Sequence, residues 1–157
     1  MSTLRLSVRL QVSETAPGAA RHALDGLDLY VGEELCRTIK LLVSELVTNS
    51  IRHADLRPDD TIDVVVTATD DVVRVEVGDP GEGFIDEVRE PRPDQASGWG
   101  LLLTDRLANR WGVSGSDGTN VWFEVTHNGG DGTSTEDHQR QPVRDLDPAK
   151  IGRRRSR

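Results

Sequence analysis

Four short stretches carry residue types at spacings that suit chemistry. In Glu45-Leu-Val-Thr-Asn49 a carboxylate and an amide lie four residues apart, so on a helix they project from one face. Their neighbours Leu42, Val43, Leu46 and Val47 are apolar. Polar groups in that setting are costly unless something satisfies them. A hydrated Mg²⁺ and the polar end of a ligand would do so, because Mg²⁺ prefers oxygen ligands and keeps several waters. Taken alone, the pair more simply marks a helix face turned to solvent. The second stretch is Asp79-Pro-Gly81-Glu-Gly83. An ionised Asp only accepts hydrogen bonds, which suits an exocyclic amine such as that of adenine. The two glycines would let the backbone come close to a ligand. The same residues also make an ordinary turn.

The third stretch is Gly98-Trp-Gly100-Leu101. Glycines leading into a helix N-terminus form an anion site from free N–H groups and the helix dipole. They equally describe a loop that ends in a helix. The fourth is the segment Phe84–Ser97 between the glycine stretches, with Pro91, Pro93, Arg89, Arg92 and several acids. A polar connection of that length inside a compact domain often serves as a lid, and otherwise as a loop without a role. Other reactive residues group less well. His22, His53, His127 and His138 lack metal-ligand spacing with one another or with Cys36. His53 reads as a helix-end residue, and Trp111 and Trp122 as packing residues. Neither a Gly-x-Ser-x-Gly elbow nor a Gly-x-x-x-x-Gly-Lys loop is present.

Strands and helices must hold these stretches in place. Leu4, Leu6, Val8, Leu10 and Val12 alternate with polar residues, the period of a strand with one buried face. Ile62–Ala68, Val73–Val77 and Val121–Val125 repeat that pattern, and a short strand around Val113 pairs with the last. Such alternation favours antiparallel pairing with one face toward water. Asp70-Asp71 and Asp117-Gly118 supply hairpin turns. Helices must cover the other face. Ser13 or Thr15 caps a first helix with Pro17 in its opening turn. A second runs from Glu33 and Glu34, acids that suit the dipole, to about Ala54. A third runs from about Gly100 to Trp111. The order β-α-α-β-β-(loop)-α-β-β predicts an α/β (α+β) two-layer sandwich, with a mixed, mostly antiparallel sheet and helices on one face.

Charge divides the chain. Of 19 Lys+Arg and 27 Asp+Glu among 157 residues, 7 and 5 fall in residues 127–157, which leaves 12 and 22 before them. The formal charge of −8 is therefore a −10 domain, expected over residues 2–126, with a +2 tail expected to be disordered. The terminal Arg153, Arg154, Arg155 and Arg157 read as solvated, or else as a contact for an acidic partner or nucleic acid. The acidic domain argues against direct nucleic-acid binding and against an anionic membrane. No apolar run approaches the roughly 20 residues that span a bilayer, and Met1–Val12 lacks the apolar segment of a signal peptide. Cys36 stands alone, so an internal disulfide is impossible. The expected location is the cytoplasm.

The combination is more specific than its parts. The sequence resembles the ATP-binding (Bergerat, GHKL) fold of histidine-kinase catalytic domains, type II topoisomerases and Hsp chaperones. Glu45-Leu-Val-Thr-Asn49-Ser-Ile-Arg-His-Ala looks like its N box, and Asp79-Pro-Gly-Glu-Gly-Phe and Gly98-Trp-Gly-Leu-Leu-Leu like its two glycine boxes. The small size resembles the stand-alone anti-sigma factor branch, whose members are serine-protein kinases. The resemblance implies ATP and Mg²⁺ as cofactors. It implies Asn49 as the Mg²⁺ ligand, Glu45 as the base that takes the serine proton, and Asp79 as the holder of the adenine amine. Gly81 and Gly83 would let the chain approach the base, while Gly98, Gly100 and the Leu101 amide would cradle phosphates. It implies an anti-anti-sigma (STAS-type) protein as partner, a sigma factor as a second partner, and a homodimer. The chain departs from the family at Trp99, where a basic residue is common. That difference bears on turnover more than on binding and keeps open a module that binds nucleotide and sequesters a partner without phosphorylating it.

Overall fold

The computed structural model describes residues 3–81, 99–115 and 117–127. Its elements are β1 (Leu4–Gln11), α1 (Ala16–Ala23), α2 (Asp28–Val31), α3 (Glu33–His53), β2 (Thr61–Ala68), β3 (Val72–Asp79), α4 (Trp99–Leu107), β4 (Arg110–Ser114) and β5 (Thr119–Thr126). The five strands form one sheet in the order β1-β2-β3-β5-β4. The sheet expected to be mostly antiparallel is wholly so among these strands. β5 returns between β3 and β4, which sets Thr119 at its start opposite Asp79 at the end of β3. The tail expected over 127–157 lies outside the described residues except for His127. That residue is anchored to the β2–β3 turn through His127 N to Asp71 O (2.8 Å) and a ring contact of Nε2 with Thr69 O (2.9 Å).

The period-two stretches become strands because each presents one apolar row to the helices. Ile62, Val64 and Val66 of β2, Val73, Val75 and Val77 of β3, and Phe123 and Val125 of β5 are buried. They meet Ala16 and Ala20 of α1 and the Cys36, Ile39, Leu42, Val43, Leu46 and Val47 face of α3 in one core. α3 is the central helix of that layer.

Three helix details differ from the sequence expectations. Thr15 is the N-cap residue of α1, but its hydroxyl meets Ser13 Oγ (3.1 Å) and makes no capping bond. α2 has no counterpart in the expected elements, since four residues are too few to show a helical period. α4 ends at Leu107, four residues short of Trp111, which belongs to β4 opposite Phe123. Trp111 Nε1 donates back to Asp105 Oδ1 (2.9 Å), so the indole packs on the helix from the neighbouring strand.

The opposite face of the sheet is covered by its own side chains. Trp122 projects there yet is 7% exposed. The Arg74 guanidinium stacks 4.2 Å from the ring centroid, and Arg110 lies at 5.9 Å. Gly112 leaves room for the ring, because a Cβ there would lie 2.9 Å from it. Glu124 accepts from both arginines, at 2.8 and 3.3 Å. Such partly exposed pairs contribute little stability each, about 0–1 kcal/mol, but they shield the indole.

Candidate functional site

The site forms where the C-terminal half of α3 crosses the end of β3, the start of β5 and the start of α4. Leu46, Asn49, Ser50, Ala54, Asp79, Leu101, Thr119 and Val121 line one cavity there. Leu46, Ala54, Leu101 and Val121 make its apolar walls, and Asp79, Ser50, Thr119 and Asn49 supply polar groups. That composition suits a flat, mostly apolar ligand with a few hydrogen-bonding edges.

Asp79 is the buried charge of this site. It is the last residue of β3, faces the helices and is 9% exposed. Gly81 N donates to its Oδ1 (3.0 Å), and the Ser50 hydroxyl donates to the same carboxylate. Among the described residues no ion pair reaches it. Burial pushes its carboxyl above the usual carboxylate range, while the bonds from Ser50 and Gly81 pull it partly back. Two neutral donors leave a carboxylate with further acceptor capacity, which an external N–H can use.

Thr119 faces Asp79 across the ladder. It is 8% exposed, and its Oγ1 has no hydrogen-bond partner among the described residues. A buried hydroxyl left unpaired costs roughly 1–3 kcal/mol. An orphan hydroxyl beside an unneutralised carboxylate, both in an apolar-walled cavity, is an arrangement that a polar ligand edge completes.

Asn49 is half-buried, one residue before Ser50 on α3. Its side chain makes no hydrogen bond among the described residues, so its carbonyl oxygen is free to bind a hard cation. The amide packs on Gly100, where a Cβ would come 2.4 Å from Nδ2. Gly100 is buried in the first turn of α4, and its carbonyl accepts from Thr104 Oγ1 (2.8 Å). A side chain at that position would displace the Asn49 amide from where it now packs. Gly81 has a parallel task. A Cβ there would lie 2.2 Å from Ala54 O, at the C-terminal end of α3, where Asp55 follows at φ 51°.

The expected site residues therefore separate into groups. Asn49, Asp79 and Leu101 meet at the cavity, and Gly81 and Gly100 sit directly behind it. Glu45 lies one helical turn before Asn49, half-buried, and does not line the cavity. Gly83, Gly98 and the segment 84–97 lie outside the described residues. His53 closes α3 as expected, and among the described residues no cluster of His, Cys, Asp or Glu is built to hold a metal. The sequence reading missed Ser50 and Thr119. Both carried a signal. Thr119 is in phase with Val121, Phe123 and Val125, and Ser50 falls at helical spacing from Val43, Leu46 and Val47 on the core side of α3.

Comparison with known proteins decides the family. Residues 11–125 match the family described as the histidine kinase-like ATPase domain. The chain belongs to that family. The match encloses all five strands in whole or in part, and every residue of the cavity. A crystal structure of the RsbU and RsbW domains of Rv1364c from Mycobacterium tuberculosis shares the fold, with TM-score 0.59 and 20% identity over 79% of this chain and 32% of that one. The histidine kinase domain of the blue-light activated histidine kinase from Erythrobacter litoralis EL346 aligns with TM-score 0.47 and 23% identity, over 71% of this chain and 59% of that one. The chain thus spans less than two thirds of the length of either. No curated protein matches it. Among the described residues of this histidine kinase-like ATPase domain, no helix is long and apolar enough to cross a membrane.

Proposed function

We propose that this domain binds Mg·ATP in the cavity between α3, β3, β5 and α4, and transfers the γ-phosphoryl group to a serine or threonine of a small STAS-type antagonist protein. The observation that carries the reading is the buried Asp79, held by Ser50 and Gly81 and facing the unpartnered Thr119. Asp79 accepts from the adenine 6-amino group, and the Thr119 hydroxyl meets the same edge of the ring. Leu46, Ala54, Leu101 and Val121 exclude water from its faces. Asn49 offers its carbonyl oxygen to Mg²⁺, which, when bound, neutralises phosphate charge. On a domain of net charge −10, that neutralisation matters for any nucleotide. The free N–H groups of the first turn of α4, Gly100 and Leu101 among them, supply donors to the phosphates, with Gly98 before them. Gly83 extends the glycine box beyond Gly81.

Glu45 stands one turn from Asn49, on the same side of α3. In phosphoryl transfer it takes the proton of the attacking hydroxyl as the new P–O bond forms and ADP leaves. The resemblance of the domain to the anti-sigma kinase branch supports the STAS-type antagonist as substrate, a sigma factor as a second partner, a homodimer as the assembly and the cytoplasm as the location. Incubation with γ-labelled ATP and an antagonist domain tests the kinase reading. Label transfer by the wild type that is lost in Glu45→Gln is expected; no transfer by the wild type contradicts it.

One observation favours a second reading. Trp99, where a cation is common in the family, opens α4 and is 43% exposed. A site that lacks this cation suits a module that binds ATP and captures a partner without phosphorylating it. In that case the same assay gives a nucleotide-dependent complex and no phosphoprotein.

A further inference from the structure

We propose that Gly118, which lies in neither glycine box, is a positioning residue that sets adenine selectivity by fixing the main chain of Asp79. The inference rests on the assignment of Asp79 to the adenine amine. Gly118 ends the β4–β5 turn at φ 129°, a conformation that disfavours any side chain. Its Cα packs straight onto the end of β3. A Cβ there would lie 2.3 Å from Asp79 O, 3.2 Å from Pro80 Cα and 3.3 Å from Asp79 C. The first of these is more than about 1 Å short of ordinary van der Waals contact, and the atoms it meets are backbone. Gly115 stands behind in turn, since a Cβ there would lie 2.4 Å from Gly118 O. The turn is therefore seated as glycine on glycine on Asp79.

The place matters because β2 does not hold Asp79 from the other side, its pairing with β3 ending at Asp63 opposite Gly78. Pro80 follows, and without an N–H it gives the strand end no further ladder bond. The Asp79 side chain is aimed by Ser50 and Gly81, but its backbone is placed by β5 and by this turn. Thr119 follows Gly118 directly, so one backbone position bears on both Asp79 and Thr119, two of the polar residues of the cavity. A methyl at Gly118 must push the turn and Asp79 apart. Charge-assisted hydrogen bonds depend steeply on alignment, so the amine contact is lost before the apolar walls are disturbed.

The test compares ATP with inosine triphosphate, which lacks the 6-amino group, by calorimetric titration of the full chain with Mg²⁺. Loss of a charged hydrogen bond corresponds to about ten- to a hundredfold in affinity, so the wild type is expected to prefer ATP by that factor. In Gly118→Ala the ATP affinity falls tenfold or more while inosine triphosphate affinity changes less than about threefold, and the preference collapses. Gly26→Ala is the control for backbone strain. Gly26 also has positive φ (89°), but a Cβ there meets nothing within 4 Å, so its ATP preference stays at the wild-type value. If Gly118→Ala does not fold, Gly115→Ala presses on the same turn from one step behind and lowers the same ratio by a smaller factor. A folded Gly118→Ala or Gly115→Ala with the wild-type ratio, or one that loses both nucleotides equally, overturns the inference. A wild type that binds ATP without preferring it overturns the adenine assignment and this inference with it. A wild type that binds neither nucleotide overturns the ATP reading as a whole.

Discussion

Replacing Asp79 by Asn separates a ligand-binding carboxylate from a structural one, because the two roles give opposite signs. The side chain is 9% exposed, receives Gly81 N at 3.0 Å and the Ser50 hydroxyl, and has no counter-charge among the described residues. Asn keeps the shape and can still accept from Gly81. Its NH₂, however, would oppose the adenine amine donor to donor. Loss of a hydrogen bond to a charged acceptor costs about 1.5–3 kcal/mol, a weakening of roughly 10- to 150-fold in ATP affinity. Folding should respond the other way. Burial raises the Asp79 pKa, so the folded state binds this proton more tightly than the unfolded state does. The resulting stability is fully present below the unfolded pKa and is lost as pH rises through the folded one. Above that window the ionised carboxylate penalises the fold by a constant amount, which Asn does not bear. Calorimetric titration should show Asp79→Asn binding ATP at least tenfold more weakly at neutral pH. Thermal melts of the nucleotide-free protein should show the variant as stable as the wild type or more so, with its advantage shrinking as the pH is lowered through the window. Wild-type ATP affinity in the variant, or a large drop in its melting temperature, would refute the reasoning.

Other expected outcomes follow from the same packing. Thr119→Val removes a hydroxyl that is buried without a partner, so denaturant titration should show stability unchanged or raised by up to about 1–3 kcal/mol while ATP binding weakens. Gly81→Ala places a methyl 2.2 Å from Ala54 O, and a loss of about 1–3 kcal/mol in unfolding free energy is expected from overpacking. Mg·ATP should change tryptophan emission through Trp99, which is 43% exposed at the start of α4. Trp99→Phe should abolish that change, since Trp111 and Trp122 are held by Asp105 and by Arg74 away from the cavity; an undiminished signal would assign it elsewhere.

The sheet was legible in the sequence because a half-buried strand must alternate. Leu4–Val12 and Val73–Val77 show that alternation without interruption, Ile62–Ala68 shows it with only Val65 out of phase, and each is a strand within two residues of its expected bounds. The end of α4 was not legible. Trp111 extends the apolar pattern of the helix, yet it reaches α4 from β4 through Asp105, and a period cannot distinguish packing within an element from packing against it. Asn49 was legible as a polar residue set among apolar ones, and Asp79 as the acid that opens a glycine-rich stretch after a strand. Their meeting was not, since it depends on the antiparallel return of β5 and on glycines at 81 and 100 that let α3, β3 and α4 approach one another. The phase of Thr119 with Val121, Phe123 and Val125 placed it on the buried face, but not its lack of a partner, because one hydroxyl in a strand is ordinary until its partners can be counted.

The central claim is that the cavity beside Asp79 and Asn49 binds ATP through a metal. Titration of the full chain with ATP, with and without Mg²⁺, tests it most directly. Saturable binding that weakens tenfold or more when Mg²⁺ is removed is the predicted result, and the Mg²⁺ dependence should disappear in Asn49→Ala. No binding by the wild type, or an Asn49→Ala variant with the full metal dependence of the wild type, would contradict the account.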